Sequence, residues 1–328
     1  MTTVRSHRGA AVRAATACIL AAWTAAATPT SAAGISVVVT SKPIHSLVAS
    51  VMGSTGKPKV LVDGNASPHT YAMKPSDARA VNEAHVFFRV SEGLEPFTAK
   101  LVKSLPRSVR IVSLESAPGV TLLDRRRGGP FEAHAHGKSG GHAGHGHDDD
   151  DDPSGAKDPH VWLDPDNARA MVDQIAATLA AADPADAATY KANAEATKAR
   201  IASLAEDLTR ELAAIKDRPF IVFHDATQYF ERRFGLAAAG TITVSPEVQP
   251  SARRLKAIRD KIGKLGAACV FAEPQFKSKL VDTVVEGTRA RTGTLDPEGG
   301  LLPAGPELYP ALLRGLATSL VTCLSATG

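Results

Sequence analysis

Three histidines in this 328-residue chain stand where a side chain can be presented to a ligand. His69 follows Ser67-Pro68 in a turn after an apolar segment. His160 follows Asp158-Pro159 and precedes Val161-Trp162-Leu163, and His224 closes the apolar run 220–223 just ahead of Asp225. A neutral imidazole can act as a general base, a proton carrier or a metal ligand. A proline directly before His69 and before His160 fixes the backbone and stiffens the presentation of each ring. Preorganised rings suit a metal site, because little ordering entropy remains to be lost on binding. Spacing alone leaves the question open: scattered histidines are commonly structural or solvated, and neither an HExxH nor a CxxC pattern is present.

Other residues read more plainly. His45 lies early in the first expected helix and reads as packing or as support for a nearby site. His85 begins a strand and reads as structural. Glu273 ends an apolar run, where a salt bridge or support of a ligand fits better than direct ligation, and Trp162 should pack close to His160. Five more histidines (His134, His136, His142, His145 and His147) fall in a low-complexity segment at about 125–157, with eight Gly and the run Asp148 to Asp152. Such a composition cannot build a core, so a mobile, solvated loop is expected there. Its many unordered imidazoles and carboxylates predict weak auxiliary metal binding.

The elements that must carry the three histidines alternate between strand and helix. Segments 35–41, 59–63, 86–90 and 109–114 are short, rich in Val and Ile, and bounded by Gly, Pro or Ser, which reads as strands. Helical stretches at about 43–52, 76–84 and 94–105 lie between them. The alternation returns with strands near 219–223, 240–244, 268–272 and 292–295 and helices near 251–264, 276–290 and 307–324. Strand–helix alternation implies parallel sheets covered by helices, hence an α/β protein in two blocks. Between the blocks, 185–217 contains no Pro or Gly. Tyr190, Ala194, Thr197, Ile201, Leu204, Leu208, Leu212 and Ile215 recur there at spacings of three and four, giving one apolar stripe. A continuous helix over that range would be roughly 50 Å long, enough to serve as a strut between two lobes.

Composition narrows the class. With 44% hydrophobic and 22% charged residues the chain reads as globular. Its first 33 residues read differently: Arg5, Arg8 and Arg13, then an apolar run 14–27, then Ser31-Ala32-Ala33. A basic start, a short apolar stretch and a small-residue site describe a secretory signal peptide, cleaved near Ala33. Cys18 lies inside that run and is expected to leave with it. Without the leader the chain carries 35 basic and 34 acidic residues. A charge so near zero predicts neither a nucleic-acid surface nor a polybasic membrane patch. No later segment approaches the 18 apolar residues of a membrane span, so a soluble exported protein is expected. Two cysteines remain, Cys269 and Cys323, which in an oxidising compartment read as a disulfide, against the alternative of two buried thiols. Closing that loop contributes roughly 4 kcal/mol in the chain-entropy model.

Taken in order, several segments resemble the ZnuA-type zinc-binding subunits of ABC importers, within the cluster of Zn/Mn solute-binding proteins. They are Lys42-Pro43-Ile44-His45-Ser46-Leu47-Val48, Ser67-Pro68-His69-Thr70-Tyr71, Asp158-Pro159-His160-Val161-Trp162-Leu163 and Phe223-His224-Asp225 with Tyr229-Phe230-Glu231. Further on come Cys269-Val270-Phe271-Ala272-Glu273-Pro274-Gln275-Phe276 and Gly293-Thr294-Leu295-Asp296-Pro297. Each piece is short, but the ordered set spans essentially the whole chain after the leader, and the His-rich insertion also resembles zinc members. The resemblance implies two lobes joined by one long helix: 34–184, the linking helix 185–217, and 218–328. It implies a Zn²⁺ held in the cleft by His69 and His160 from the first lobe and His224 and Asp296 from the second. It also implies a disulfide onto the last helix.

Manganese relatives place a carboxylate where His224 stands, and oxygen-rich sites suit that harder ion, so a third histidine favours zinc. Some zinc members fill the fourth position with water, or with a Glu just before the first His. Here Pro68 removes the second option and leaves Asp296 or water. The implied partners are an inner-membrane permease and its cytoplasmic ATPase, with a periplasmic, monomeric binding protein that performs no reaction. The rival from another class is an exported zinc hydrolase with Glu273 as base, which needs an open coordination position. A milder rival is the same fold serving Mn²⁺ or acting as a surface adhesin.

Overall fold

The computed structural model describes residues 1–3, 34–126, 131, 156–243, 246, 249–266, 269–277 and 279–325. The leader with its cleavage site near Ala33 lies outside the described residues, as do His134, His136, His142, His145 and His147. The described residues from Gly34 onward form one compact unit.

The first half runs β1 (Val37–Val39), α1 (Lys42–Met52), β2 (Lys59–Val60), α2 (Pro75–Asn82), β3 (Val86–Arg89), α3 (Thr98–Ser104) and β4 (Arg110–Ser113). Its four strands are all parallel, in the order β2-β1-β3-β4. A 3₁₀ turn (Val161–Leu163) then leads into α4 (Pro165–Ala182) and α5 (Ala187–Leu212). The second half runs β5 (Phe220–Val222), α6 (Gln228–Phe234), β6 (Ala238–Thr241), α7 (Ala252–Leu265), β7 (Cys269–Ala272), α8 (Lys279–Val285), β8 (Arg291–Thr294) and α9 (Leu308–Ser325). Its sheet repeats the same parallel plan as β6-β5-β7-β8. Two helix-flanked parallel sheets joined through one long helix are the fold expected from the sequence.

Strand periodicity sorts the core into layers. Val37, Val39, Val86, Phe88, Phe220, Val222, Cys269 and Phe271 share one hydrophobic cluster with α1, α4, α5 and α9. The intervening residues Val38 and Phe87 face Val81 of α2 and Leu101 of α3. Ile221 and Val270 likewise face Ile258 and Ile262 of α7 and Val281 and Val284 of α8. Alternate side chains of one strand point to opposite faces, so each sheet is covered on both sides.

Local signals set the helix ends. α1 starts after extended Ser41 with Pro43 in its first turn and stops at Gly53, whose φ is +57°. α7 starts where Ser251 Oγ accepts the Arg254 N–H and stops at Gly266, φ +59°. The expected apolar stripe is buried from Tyr190 through Ile215, but the linking helix is shorter than 185–217. Pro184–Asp186 and Ala213–Ile215 are 3₁₀ turns, so α5 covers 26 residues, about 39 Å. Other details differ from the sequence reading. Sequence patterning does not reveal α4 and α6: α4 is Ala-rich and weakly patterned, and α6 is only seven residues long. The helix expected over 94–105 starts at Thr98, because Glu95 turns back to accept the N–H groups of Val90 and Ser91. His85 stands one residue before the buried strand β3 and keeps the structural role expected of it, but it is exposed rather than buried. Its Nδ1 accepts the Ser36 N–H at 3.0 Å.

Cys269 of β7 and Cys323 of α9 form the expected disulfide, with Cα atoms 6.2 Å apart. The expectation that no segment after the leader approaches a membrane span needs correction: among the described residues α9 is long and apolar enough to cross one, because its 18 residues carry the apolar face that packs into the core through Leu312, Leu316 and Leu320.

Candidate metal centre

In a parallel sheet, groups collect beyond the carboxyl ends of strands at the point where strand order reverses. In the second sheet that point lies between β5 and β7. His224 follows the end of β5, and Glu273 follows the end of β7 beside it. His69 lies in the turn after β2, and His160 immediately before the 3₁₀ turn that leads to α4.

These three histidines meet. The Nε2 atoms of His69 and His160 are 3.2 Å apart, and those of His160 and His224 are 3.3 Å apart. One ring nitrogen from each lies within 4.8 Å of the others. A tetrahedral Zn²⁺ with nitrogens at about 2.0–2.1 Å requires nitrogen–nitrogen edges of about 3.3–3.4 Å. The two measured edges therefore match a zinc coordination shell.

Carboxylates set the ring orientations. Asp158 Oδ1 accepts the His160 ring Nδ1–H at 2.7 Å and the His160 backbone N–H at 3.0 Å. Glu273 Oε1 treats His224 the same way, at 2.6 Å from Nδ1 and 3.1 Å from the backbone nitrogen. With the proton held on Nδ1, each Nε2 turns a lone pair to the centre, which is how supporting carboxylates tune metal-binding histidines. Asp158 reaches His160 across one proline, so a single short motif supplies both ligand and support.

Electrostatics separate the rings. Burial pushes the pKa of His69 and His160 well down, and repulsion from neighbouring rings and Arg125 adds to it. Burial, the largest single effect, opposes charge on His224, but Glu273, joined by Asp225 and Asp158, raises its pKa. Burial raises Asp158 to about 7 against the opposing pull of the His160 N–H and Arg126.

Around the rings, Trp162 is fully buried 5.5 Å from the His160 ring and donates its Nε1–H to Pro297 O at 2.9 Å. His45 stands apart from the three, with its Nε2 on Pro58 O at 3.1 Å, which fits the packing role expected for it. Asp296 is not gathered into the three-histidine group. Its Oδ1 accepts the Gln275 Nε2–H at 2.8 Å, and its Oδ2 accepts the Leu301 N–H at 3.2 Å.

Sequence reasoning missed a second feature. Arg126, counted with the low-complexity segment, is partly buried. It pairs with Glu231 at 2.7 Å and grips both carboxylate oxygens of Asp225, the neighbour of His224. Those two carboxylates outweigh the burial of its charge and raise its pKa. Asp124 and Lys157 bridge beside it, Leu123 N–H donates to Tyr229 Oη, and that hydroxyl donates to Asp158 O. The described ends of the segment are thus anchored on α6 through Glu231 and Tyr229, and the expected mobile loop between them lies, apart from residue 131, outside the described residues. The available signal was Asp225 standing directly after His224.

The chain is similar to known proteins over most of its length. Residues 37–323 match the family model described as "Zinc-uptake complex component A periplasmic". The high-affinity zinc uptake system protein ZnuA of Brucella suis biovar 1 (strain 1330) is 48% identical over 305 residues, covering 88% of this chain and 91% of that protein. A crystal structure of ZnuA superposes with a TM-score of 0.72 at 25% identity, covering 89% of this chain and 99% of that one. A zinc-bound ZnuA deletion mutant superposes with a TM-score of 0.70 at 26% identity, covering 90% of this chain and 100% of that one. With a match across nearly its whole described length, the chain belongs to the ZnuA family of periplasmic zinc-uptake components.

Proposed function

We propose that this chain captures Zn²⁺ at the three-histidine centre and delivers it to an ABC importer. The observation that carries the proposal is the convergence of three imidazoles within 4.8 Å of one another, two of whose nitrogen–nitrogen edges have the length a zinc tetrahedron requires. Borderline imidazole donors suit Zn²⁺ better than Mn²⁺, which favours oxygen. Asp158 and Glu273 balance the charge of the dication in a site where burial makes an unpaired charge costly. Three neutral imidazoles leave one position of the tetrahedron, which we assign to Asp296. To fill it, the carboxylate must leave Gln275 and turn toward the rings.

The rest of the reading follows from this cargo. The family is one of transport components, so the site binds and releases without reaction, and Glu273, committed to His224, is not a free base. Residues 1–33 are the leader, removed near Ala33. Residues 34–184 and 218–328 are the two lobes, with 185–217 between them. The partners are an inner-membrane permease and its cytoplasmic ATPase, and the binding protein works as a monomer without nucleic acid. His134, His136, His142, His145 and His147 supply weak auxiliary metal binding.

Metal analysis and a zinc titration of the leaderless protein test the proposal. One tightly bound Zn²⁺ per chain, displacing Mn²⁺ in competition, is the expected result. Preference for Mn²⁺, or no tight site, contradicts it.

A further inference from the structure

We propose that Gln275 is a positioning residue that competes with the metal for Asp296, and so sets how tightly zinc is held and how fast it leaves. This rests on the assignment of Asp296 as fourth ligand. The Gln275 amide donates Nε2–H to Asp296 Oδ1 at 2.8 Å, and the Leu301 N–H takes Oδ2 at 3.2 Å. Both oxygens are therefore engaged outside the three-histidine group. To reach the ion the carboxylate must turn away from these donors and give up the shorter bond, that from Gln275.

The clamp is built rather than incidental. Gln275 follows Glu273 by two residues, so the strand end that supports His224 also carries the group restraining Asp296. Gly300 lies against the Gln275 amide: a Cβ there would stand 2.9 Å from Gln275 Nε2 and 2.7 Å from Asn65 Oδ1. Buried Lys42 fixes that loop by donating to Gly300 O at 2.9 Å and Leu302 O at 2.5 Å, which holds the Leu301 N–H in place. The amide orientation follows from its partner, because the carboxylate can only accept. This choice leaves Gln275 Oε1 buried without a hydrogen-bond partner. An unpaired buried acceptor is costly, so the amide sits where its contact with Asp296 is the interaction that holds it. Coordination by Asp296 and its capture by Gln275 exclude each other, and their balance lets a closed site release its ion.

The sign of the effect separates this from ordinary support. If Gln275 merely oriented a ligating carboxylate, removing it would weaken binding. Under competition, Gln275→Met, which keeps the side-chain volume, tightens zinc binding on the order of tenfold and slows dissociation to a similar degree. In an Asp296→Ala background the same substitution changes neither. Competition titrations and stopped-flow release to a chelator, on the leaderless chain and the three variants, provide the test, with zinc X-ray absorption reporting carboxylate coordination. Weaker binding in Gln275→Met, or an equal gain without Asp296, overturns the clamp alone. Unchanged affinity in Asp296→Ala overturns the fourth-ligand assignment and the clamp with it, while tight binding by the histidines still stands.

Discussion

One oxygen of Glu273, Oε1, holds His224 at two points, the ring Nδ1 at 2.6 Å and the backbone nitrogen at 3.1 Å. The same carboxylate thereby fixes the direction of the strand end, the plane of the ring and the location of its proton. Removing such a support from a metal-binding histidine typically weakens metal affinity 10–100-fold. Glu273→Ala should therefore lose zinc affinity within about that range, and Glu273→Gln should lose less, since its amide oxygen still accepts the Nδ1–H. A chelator competition titration measures both. Wild-type affinity in Glu273→Ala would show that the ring needs no such anchor.

A second carboxyl predicts a pH dependence away from the rings. Glu95 is fully buried and raised to about 7, chiefly by burial, against the lowering effect of the Thr40 hydroxyl and the Ser91 and Val90 N–H groups. Its folded pKa exceeds its unfolded value of 4.5. Between these values the folded state holds a proton that the unfolded state has released, so this contribution to stability shrinks as pH rises. By linkage the loss reaches on the order of 3 kcal/mol above pH 7. The stability advantage of the wild type over Glu95→Gln, followed by urea unfolding of zinc-free protein, should thus be larger at pH 5 than at pH 8. A difference independent of pH would mean that Glu95 ionises normally.

The link from Cys269 to Cys323 fastens α9 to β7. Closing the intervening chain restricts the unfolded state, by roughly 4 kcal/mol in the chain-entropy model. Thiol labelling of the exported, unreduced protein should find neither cysteine, and Cys323→Ala should lower the unfolding midpoint. Two labelled thiols would contradict the pairing.

The His- and Asp-rich interior should be separable from the main centre. The Gly-rich composition of the segment predicts that each ion must order the chain anew, hence weak sites beside one tight one. Deleting residues 130–152 should abolish the weak phase of a zinc titration and preserve the tight phase. Because these histidines must lose protons to bind, the weak phase should fade below about pH 6. Loss of the tight phase in a folded deletion variant would move the primary site away from His69, His160 and His224.

The frame of this protein was legible because short apolar runs such as Val86–Arg89 and Cys269–Ala272 bury both faces in helix-covered parallel sheets. α5 was readable from its stripe, yet its ends were not, since Ile215 continues the stripe three residues after Leu212 from within the 3₁₀ turn Ala213–Ile215, and no residue of the stripe marks where the turn Pro184–Asp186 gives way to α5. His69, His160 and His224 stood out by their contexts, but their convergence joins residues 91 and 64 positions apart. No local pattern encodes such a distance, and the resemblance to a family supplied it. Arg126 was hidden inside a low-complexity stretch, where composition says nothing about a single side chain that turns inward to Asp225. Gln275 stood within a quoted motif, but its role depends on where Asp296 points, which only the folded loop at 296–302 determines.

The most direct measurement is the zinc affinity of His160→Ala in a chain already lacking residues 130–152. His160 Nε2 touches both other rings and is the hub of the centre. Its removal leaves two imidazoles too far from a complete shell, so the tight phase should vanish while circular dichroism shows an intact fold. Retention of wild-type affinity in that background would contradict the three-histidine centre.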